Sequence, residues 1–144
     1  MQLQVKKLKP NAIIPTQAST LSAGFDLYAC IDHDVTIKPG ETAFIGTGLA
    51  MAIPAGFGAF IYARSGLACK KNLRPANCVG VIDADYRGEY MVALHNDGSQ
   101  ERTIANGERI AQMVISQYFT PTFNIVDELP DSERGAGGFG SSGK

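Results

Sequence analysis

The sequence predicts an all-β domain, built as a sandwich or barrel of short strands. Short apolar or alternating runs recur along the chain, as in "QLQVKKL", "GAFIYA" and "RIAQMVISQYF", and runs of this length are typical of strands. Turn residues separate the runs, and the 16 glycines suit the corners and bulges of such a fold. Sustained helical periodicity is missing.

The predicted strands follow one another along the whole chain. In order, the runs are "QLQVKKL", "GFDLYAC", "DVTIKPGE", "TAFIGTGLAMAIPAG", "GAFIYA", "CVGVIDADYRGEYMVAL", "RIAQMVISQYF" and "FNIVDEL". Turn signals lie at Pro39-Gly40, at 54–56, at Asp97-Gly98 and at Asn106-Gly107. One short helix is predicted within "RSGLACKKNL", where Ser65 is expected to cap the N-terminus.

Length and composition indicate one cytoplasmic domain. The chain has 144 residues, and its net charge of −1 with a pI near 6.1 argues against a broad nucleic-acid surface, although a few local cations would still hold a compact anion. Cys30, Cys69 and Cys78 are odd in number and lack paired spacing, which favours free thiols in a reducing compartment. We expect no membrane partner, because no run of 18 apolar residues occurs.

The stretch "GVIDADYRGEYMVAL" is the richest in potential chemistry. It is typical of a hairpin, with two strands joined by a tight turn and Gly88 at the corner. Asp83 follows the apolar residues Val81 and Ile82, so its carboxylate lies beside buried surface and is a candidate general base. Aspartate is also common in turns for structural reasons alone.

Two further stretches, "AGFDLYA" and "ARSGLA", place charged side chains beside strand residues. Asp26 lies between Phe25 and Leu27 and needs a partner if it is buried, whereas Arg64 can hold a phosphate or a carboxylate with two hydrogen bonds. A purely structural ion pair between Asp26 and Arg64 is the alternative. The two histidines do not cluster with any cysteine or serine, so a nucleophilic triad is not expected.

Composition changes after Pro130, where aliphatic residues give way to the glycine-rich stretch "RGAGGFGSSG" at 134–143. Residues 1–130 are therefore predicted to form the domain and 131–144 a flexible C-terminal arm. The stretch is no nucleotide-hydrolase P-loop, because the phosphate-binding lysine is missing. Glycine-rich backbone still binds phosphate, and Phe139 offers a face on which a base can stack.

Five stretches of the chain, taken in order, closely resemble the motifs of the trimeric dUTP pyrophosphatases, or dUTPases. These stretches are "AGFDLYA", "RSGLA", "NCVGVIDADYRGEY", "GERIAQM" and "RGAGGFGSSG". The resemblance implies a jelly-roll-like β-clip fold and a homotrimer whose sites are shared between chains. It also implies Mg²⁺-dependent conversion of dUTP to dUMP and pyrophosphate, with the arm folding over the nucleotide.

The resemblance also assigns roles to individual residues. Asp83 would deprotonate the water that attacks the α-phosphorus, Asp26 would contact Mg²⁺ through water, and Tyr86 would pack under the sugar and exclude a ribose hydroxyl. The backbone around Val81 and Met91 would select uracil. The implied substrate-binding residues are Arg64, Ser65, Gly66, Asn77, Val81, Ile82, Asp83, Tyr86, Met91, Gln112, Arg134, Phe139, Gly140 and Ser141.

Two alternatives remain open at this point. A dCTP deaminase of the same fold would need a glutamate in the hairpin, where this chain has "IDADYRG". A silent nucleotide-sensing or protein-binding β module would keep the fold without turnover. The chain departs from the common family pattern at Ala63, where many relatives have proline, and at Ser142, where threonine is frequent.

Overall fold

The structure, a computed structural model, describes residues 1–138. Within this range the chain forms mostly short strands and one helix. In chain order these are β1 (Gln4–Lys7), β2 (Phe25–Tyr28), β3 (Val35–Ile37), β4 (Thr42–Gly46), β5 (Leu49–Ala52), β6 (Phe57–Tyr62), α1 (Ser65–Lys71), β7 (Leu73–Pro75), β8 (Val79–Ile82), β9 (Met91–Asn96), β10 (Arg102–Ile104) and β11 (Arg109–Gln117). Three of the predicted site residues, Phe139, Gly140 and Ser141, lie outside the described residues.

The strands form four antiparallel sheets that share one core. The largest sheet has the order β2-β11-β6-β8, the next β4-β9-β7, and the pairs β1-β5 and β3-β10 complete the set. The sheets are open: residues 1–138 form no closed barrel, so the predicted all-β class is confirmed in its sandwich form. Every sheet contributes to the same buried apolar cluster, which is how sheets cover their apolar faces.

The local predictions are largely confirmed. Gly40, Gly56 and Gly107 occupy predicted turns and have positive φ angles of 75°, 83° and 78°, which glycine adopts without steric cost. The predicted short helix is α1, but the predicted cap was wrong. Arg64 is the N-cap, without a side-chain cap hydrogen bond, and Ser65 is the first helical residue.

The predicted hairpin was also wrong in its pairing. β8 pairs with β6, whereas β9 pairs with β4 and β7. The two strands therefore separate into different sheets, and residues 83–90 connect them as a longer turn. Period-two alternation predicts two strands here but does not say which neighbour each strand finds.

The predicted strand "FNIVDEL" is not formed, and residues 118–130 carry no strand. Phe123 and Ile125 are 92% and 97% exposed, because no strand edge of the described protomer pairs with this segment. The three cysteines are free thiols, as predicted. No helix within residues 1–138 is long and apolar enough to cross a membrane.

Candidate active site

A pocket of about 380 Å³ opens between β8 and the start of β9. Six of the residues predicted to bind substrate line it, and they come from both strands and from the turns before and after β8. These residues are Asn77, Val81, Ile82, Asp83, Tyr86 and Met91. The structure therefore brings these six predicted residues together around one pocket, although the hairpin that was expected to carry them is split.

The pocket exists because two strand edges face each other without pairing. β8 is the outer strand of its sheet, so one of its edges carries backbone N–H and C=O groups that no strand in residues 1–138 satisfies. β9 pairs with β7 only over its last three residues, from Leu94 to Asn96. One further backbone hydrogen bond follows, in which the Ala76 amide donates to the Ala93 carbonyl. The first residues of β9 therefore face β8 across the gap, and a flat polar ligand would complete both ladders.

The turn at 83–90 has a defined internal structure. The Tyr86 amide donates to the Asp83 carbonyl at 3.2 Å, and the Tyr86 hydroxyl donates to the Glu89 carbonyl at 3.1 Å. The Arg87 guanidinium donates to the Ala84 and Tyr86 carbonyls at 2.7 and 2.9 Å. These bonds fix the turn, so Asp83 lines the pocket as an exposed carboxylate on ordered backbone.

Tyr90 lies at the base of this turn and is only 1% exposed. Its ring centroid is 6.2 Å from that of Tyr86, so one aromatic ring supports the other. The Tyr90 hydroxyl has no hydrogen-bond partner in residues 1–138. Burial raises the pKa of this phenol above its ordinary value of 10.0, because ionisation would place an unsolvated charge in the core.

A second cluster lies on the other part of the four-stranded sheet. Asp26, on β2, is 9% exposed and accepts hydrogen bonds from two guanidinium groups. Arg64 Nε donates to one carboxylate oxygen at 2.8 Å and Arg109 donates to the other at 3.2 Å. The ion pair between Asp26 and Arg64, which the sequence offered as a structural alternative, is therefore present. Arg64 makes it through Nε, so within residues 1–138 its two terminal nitrogens can still donate to a phosphate.

Sequence reasoning missed Arg109. β11 pairs Gln112 with Asp26 and Arg109 with Tyr28, with a bulge between 109 and 111. Asp26 and Tyr28 share one face of β2, so the bulge brings Arg109 to the face of Gln112 although the two lie three residues apart. Simple alternation places residues three apart on opposite faces, and it carries no signal for a bulge.

Gln112 joins this cluster to the segment before α1. Its side-chain amide donates to the Ala63 carbonyl at 2.9 Å, one residue before Arg64. Gly24 allows this placement, because a Cβ there would lie 2.6 Å from Gln112 Oε1. Ser65 and Gly66 follow as exposed residues at the start of α1. Four predicted phosphate-binding residues therefore lie together at one end of β6.

The two clusters are separate within one protomer. Asp83 follows Ile82, which pairs with Ala59 near the start of β6, whereas Arg64 lies beyond the other end of β6. At about 3.3 Å per residue of strand, the Cα atoms of Asp83 and Arg64 are roughly 20 Å apart. Arg134 joins neither cluster, since its Nε donates to Gly137 within the arm, at 2.7 Å.

No group of three or more His, Cys, Asp or Glu side chains within residues 1–138 is arranged to hold a metal ion. Asp26 accepts one N–H on each oxygen and faces two guanidinium groups, which leaves a local excess of positive charge. Its remaining lone pairs can accept hydrogen bonds from water. These residues fit an ion that reaches the site with an anionic ligand and contacts Asp26 only through water.

The strand-edge pocket has the shape for a flat polar group, and the arginine-rich cluster has the charge for an anion. Together they are typical of a protein of the nucleotide-binding class. The dUTPase family model matches residues 10–143. The chain belongs to the dUTPase family. The jelly-roll-like fold implied by the sequence resemblance is thereby confirmed, without a closed barrel in the described part of the chain.

Individual relatives agree over nearly the whole chain. A deoxyuridine 5'-triphosphate nucleotidohydrolase of Desulfitobacterium hafniense is 51% identical over 131 residues, which cover 90% of this chain and 87% of the relative. The protein of the same name from Burkholderia mallei is 45% identical and covers 100% of this chain and 98% of its own.

Among solved structures, a mutant dUTPase of Staphylococcus bacteriophage 80alpha with dUpNHpp has a TM-score of 0.90 and 33% identity, covering 99% of each chain. A mutant dUTPase from phage phi11 of S. aureus, described with a structural Mg(II) ion, has a TM-score of 0.82 and 27% identity. It covers 91% of this chain and 100% of its own.

We expect Tyr90→Phe to fold as stably as the wild type or up to about 1–2 kcal/mol more stably, because it removes a buried hydroxyl without a partner. Above pH 10 the unfolded chain ionises Tyr90 more readily than the folded one, so wild-type stability falls as pH rises through the raised pKa. Tyr90→Phe has no phenol at this position, so this part of the pH dependence should be missing from its free energy of unfolding. Urea unfolding at pH 8 and pH 10.5 measures both effects.

Tyr90→Leu is the matched control, since it also lacks the hydroxyl but removes the ring that supports Tyr86. It should be less stable than Tyr90→Phe at both pH values. A clear loss of stability in Tyr90→Phe at pH 8 would mean that the hydroxyl has a partner in the folded protein.

Proposed function

We propose that this protein hydrolyses dUTP to dUMP and pyrophosphate, by attack of water on the α-phosphorus. Membership of the dUTPase family supports this reaction. The observation that carries it is the position of Asp83, an exposed carboxylate at the rim of a pocket whose walls are unpaired strand edges. A base held between these edges brings its attached phosphates to the rim.

Uracil is selected by the backbone of β8 and the start of β9. Backbone groups fixed by β6 on one side and β4 on the other form a rigid template, so the pocket cannot adjust to a different pattern of donors and acceptors. Cytosine reverses one donor and one acceptor, and the thymine methyl group would collide with the narrow gap. Leaving buried polar groups unpaired can reject a wrong ligand by about 10⁴-fold.

Asp83 acts as the general base that deprotonates the attacking water. Phosphoryl transfer needs positioning and neutralisation of charge rather than a covalent nucleophile, and the two histidines, His33 and His95, do not cluster with any cysteine or serine in the sequence. Arg64, Ser65, Gly66 and Gln112 hold the phosphates, and Asp26 orients Arg64 through its 2.8 Å bond to Nε. Arg109 donates to the second oxygen of Asp26 at 3.2 Å, so each oxygen of this nearly buried carboxylate has a guanidinium partner.

Mg²⁺ is the proposed cofactor and would arrive with the triphosphate, as the donor set around Asp26 indicates. It would neutralise phosphate charge and orient the phosphate chain. Asp26 would contact its bound water, while the protein's own arginines hold the remaining phosphate oxygens. The structural Mg(II) ion described for the phage phi11 enzyme is consistent with this assignment.

Each site is proposed to be shared between chains of a homotrimer. Asp83 and Arg64 of one protomer are roughly 20 Å apart along β6, yet both must contact one triphosphate. In a closed symmetric oligomer, Asp83 of one protomer can lie close to Arg64 of its neighbour, so that both contact the same triphosphate. The exposed side chains of Phe119, Phe123 and Leu129, at 89%, 92% and 82%, supply apolar surface that contacts between protomers would bury.

Residues 131–144 are proposed to close over the bound nucleotide, with Phe139 stacked on the base and Arg134 near the phosphates. Gly140 and Ser141 would donate backbone and hydroxyl groups to the same phosphates. Closure excludes water from the site except for the attacking molecule.

We expect dUTP with Mg²⁺ to yield dUMP and pyrophosphate, and dCTP to release no ammonia, because the residue that follows β8 in the pocket is Asp83 rather than a glutamate. Chromatography of the nucleotides together with a pyrophosphate assay measures the products. Ammonia from dCTP would identify the deaminase alternative, and binding of dUTP without any product would identify the silent module.

Asp83→Asn should keep the fold and nucleotide affinity but lower kcat by at least about 10³-fold, because an amide cannot take a proton from water. The matched control is Asp85→Asn, two residues away in the same turn and exposed, which should change kcat by less than about threefold. Near-normal kcat for Asp83→Asn would rule out this general base.

Two inactive variants should restore each other's activity when they are refolded together. One carries Asp83→Asn with an intact arm, and the other keeps Asp83 but ends at Glu133. Random trimers then pair an intact Asp83 with a neighbour's intact arm at about one quarter of the sites. Each variant refolded alone controls for residual activity, and no recovery in confirmed mixed trimers would contradict the shared site.

A further inference from the structure

The side chain of Glu89 lies at the end of the turn that carries Asp83 and Tyr86, and the proposed mechanism gives it no role. Its Oε1 accepts a hydrogen bond from the Gly48 amide at 2.8 Å. The acceptor thus reaches from the pocket turn to the connection between β4 and β5, which belongs to a different part of the chain. Glu89 is only partly buried, and this bond determines where its carboxylate lies.

The neighbouring backbone is shaped to receive this carboxylate. A Cβ at Gly46 would lie 2.5 Å from Glu89 Oε1, so glycine there leaves the space that the carboxylate occupies. Gly48 has a φ of +67°, a left-handed conformation that other residues rarely adopt. Its amide faces the carboxylate from this conformation, so the contact is a built feature of the fold.

The same residue supports Tyr86 through its backbone. The Glu89 carbonyl accepts the hydrogen bond from the Tyr86 hydroxyl at 3.1 Å, while the next amide, of Tyr90, donates to the Leu49 carbonyl at 2.8 Å. In a trans peptide the N–H and C=O groups point in opposite directions. The peptide between Glu89 and Tyr90 therefore joins the Tyr86 ring, on one side, to the first residue of β5, on the other.

The Tyr86 ring is packed against the turn itself. A Cβ at Gly88 would lie 2.6 Å from the ring carbon that bears the hydroxyl, so the ring lies directly over Gly88. Tyr90 supports the ring from the core side, at 6.2 Å between centroids. The position of the Tyr86 ring thus depends on the position of the turn. The hydrogen bond from the Gly48 amide to the Glu89 carboxylate is one of the contacts that fix the turn.

We propose that Glu89 is a positioning residue for sugar selection: its carboxylate, bound to Gly48, holds the Tyr86 ring where a ribose 2'-hydroxyl would collide with it. This inference rests on the proposed function, in which Tyr86 packs under the deoxyribose. It assigns the selection between deoxyribose and ribose to an anchor in the pocket wall, beside the ring that would contact the sugar. Glu89 acts through Tyr86 and takes no part in proton transfer.

The test compares two substitutions of similar length. Glu89→Gln keeps a carbonyl oxygen that can accept from the Gly48 amide, whereas Glu89→Met fills the space without an acceptor of comparable strength. The preference is the ratio of kcat/KM for dUTP to kcat/KM for UTP. We expect Glu89→Met to lower this ratio by about tenfold or more, mainly through KM, and Glu89→Gln to stay within about twofold of wild type.

A parallel loss of activity on both substrates, with the ratio unchanged, would show a merely structural role and overturn the proposal. So would a glutamine variant that loses the preference as fully as the methionine variant. If Glu89→Met does not fold, Gly46→Ala applies the same test from the other side, since its Cβ displaces the carboxylate. An unchanged dUTP preference in folded Gly46→Ala would equally overturn the proposal.

Binding separates this inference from the proposed reaction. Calorimetric titration of wild type and Glu89→Met with dUMP and with UMP needs no turnover. If wild type fails to hydrolyse dUTP yet prefers dUMP, and Glu89→Met loses that preference, the reaction is wrong and the positioning role stands. If wild type hydrolyses dUTP and Glu89→Met still prefers dUMP to the same degree, the positioning role is wrong and the reaction stands.

Discussion

The separation of β8 and β9 into different sheets is the constraint on which the rest of the site depends. A paired hairpin would satisfy its backbone groups internally and leave no gap. Because β8 pairs outward with β6 and β9 pairs with β4 and β7, two unpaired edges face each other across the pocket. The turn at 83–90 spans the gap, and its internal hydrogen bonds hold Asp83 at the rim. β6 holds β8 on one side of the gap and β4 holds β9 on the other, so the proposed selection of uracil depends on how these sheets pack.

In the second cluster a nearly buried carboxylate is paired with two guanidinium groups. Asp26 is nearly buried, and an isolated carboxylate there would be costly. Two guanidinium groups compensate it, and one of them, Arg64, keeps its terminal nitrogens for phosphate. The strand that aligns this cluster also separates it from Asp83 by roughly 20 Å. The two clusters therefore lie apart within one protomer, and this separation is the reason that the proposed site is shared between chains.

Much of the fold could be predicted from alternation and turn chemistry. The glycine turns, the short helix and most of the strand positions were correct because these features depend on local residues. Partner choice was not predictable: the pairing of β8, the unpaired segment at 118–130 and the bulge that brings Arg109 to Asp26 depend on contacts distant in sequence. The predicted Ser65 cap was wrong for a local reason, since Arg64 occupies the N-cap position and Ser65 is already the first helical residue. The site residues came from five short motifs, whose order and spacing identified the family.

The central claim is that the gap between β8 and β9 recognises uracil through backbone groups. The most direct measurement is titration of ¹⁵N-labelled protein with dUMP, followed by NMR of backbone amides, with dTMP as the control ligand. The account predicts that dUMP shifts the amides of residues 79–82 and 91–93 in a saturable manner, and that dTMP leaves them unchanged at the same concentration. Saturable shifts confined to other parts of the chain, or equal shifts with both nucleotides, would contradict it.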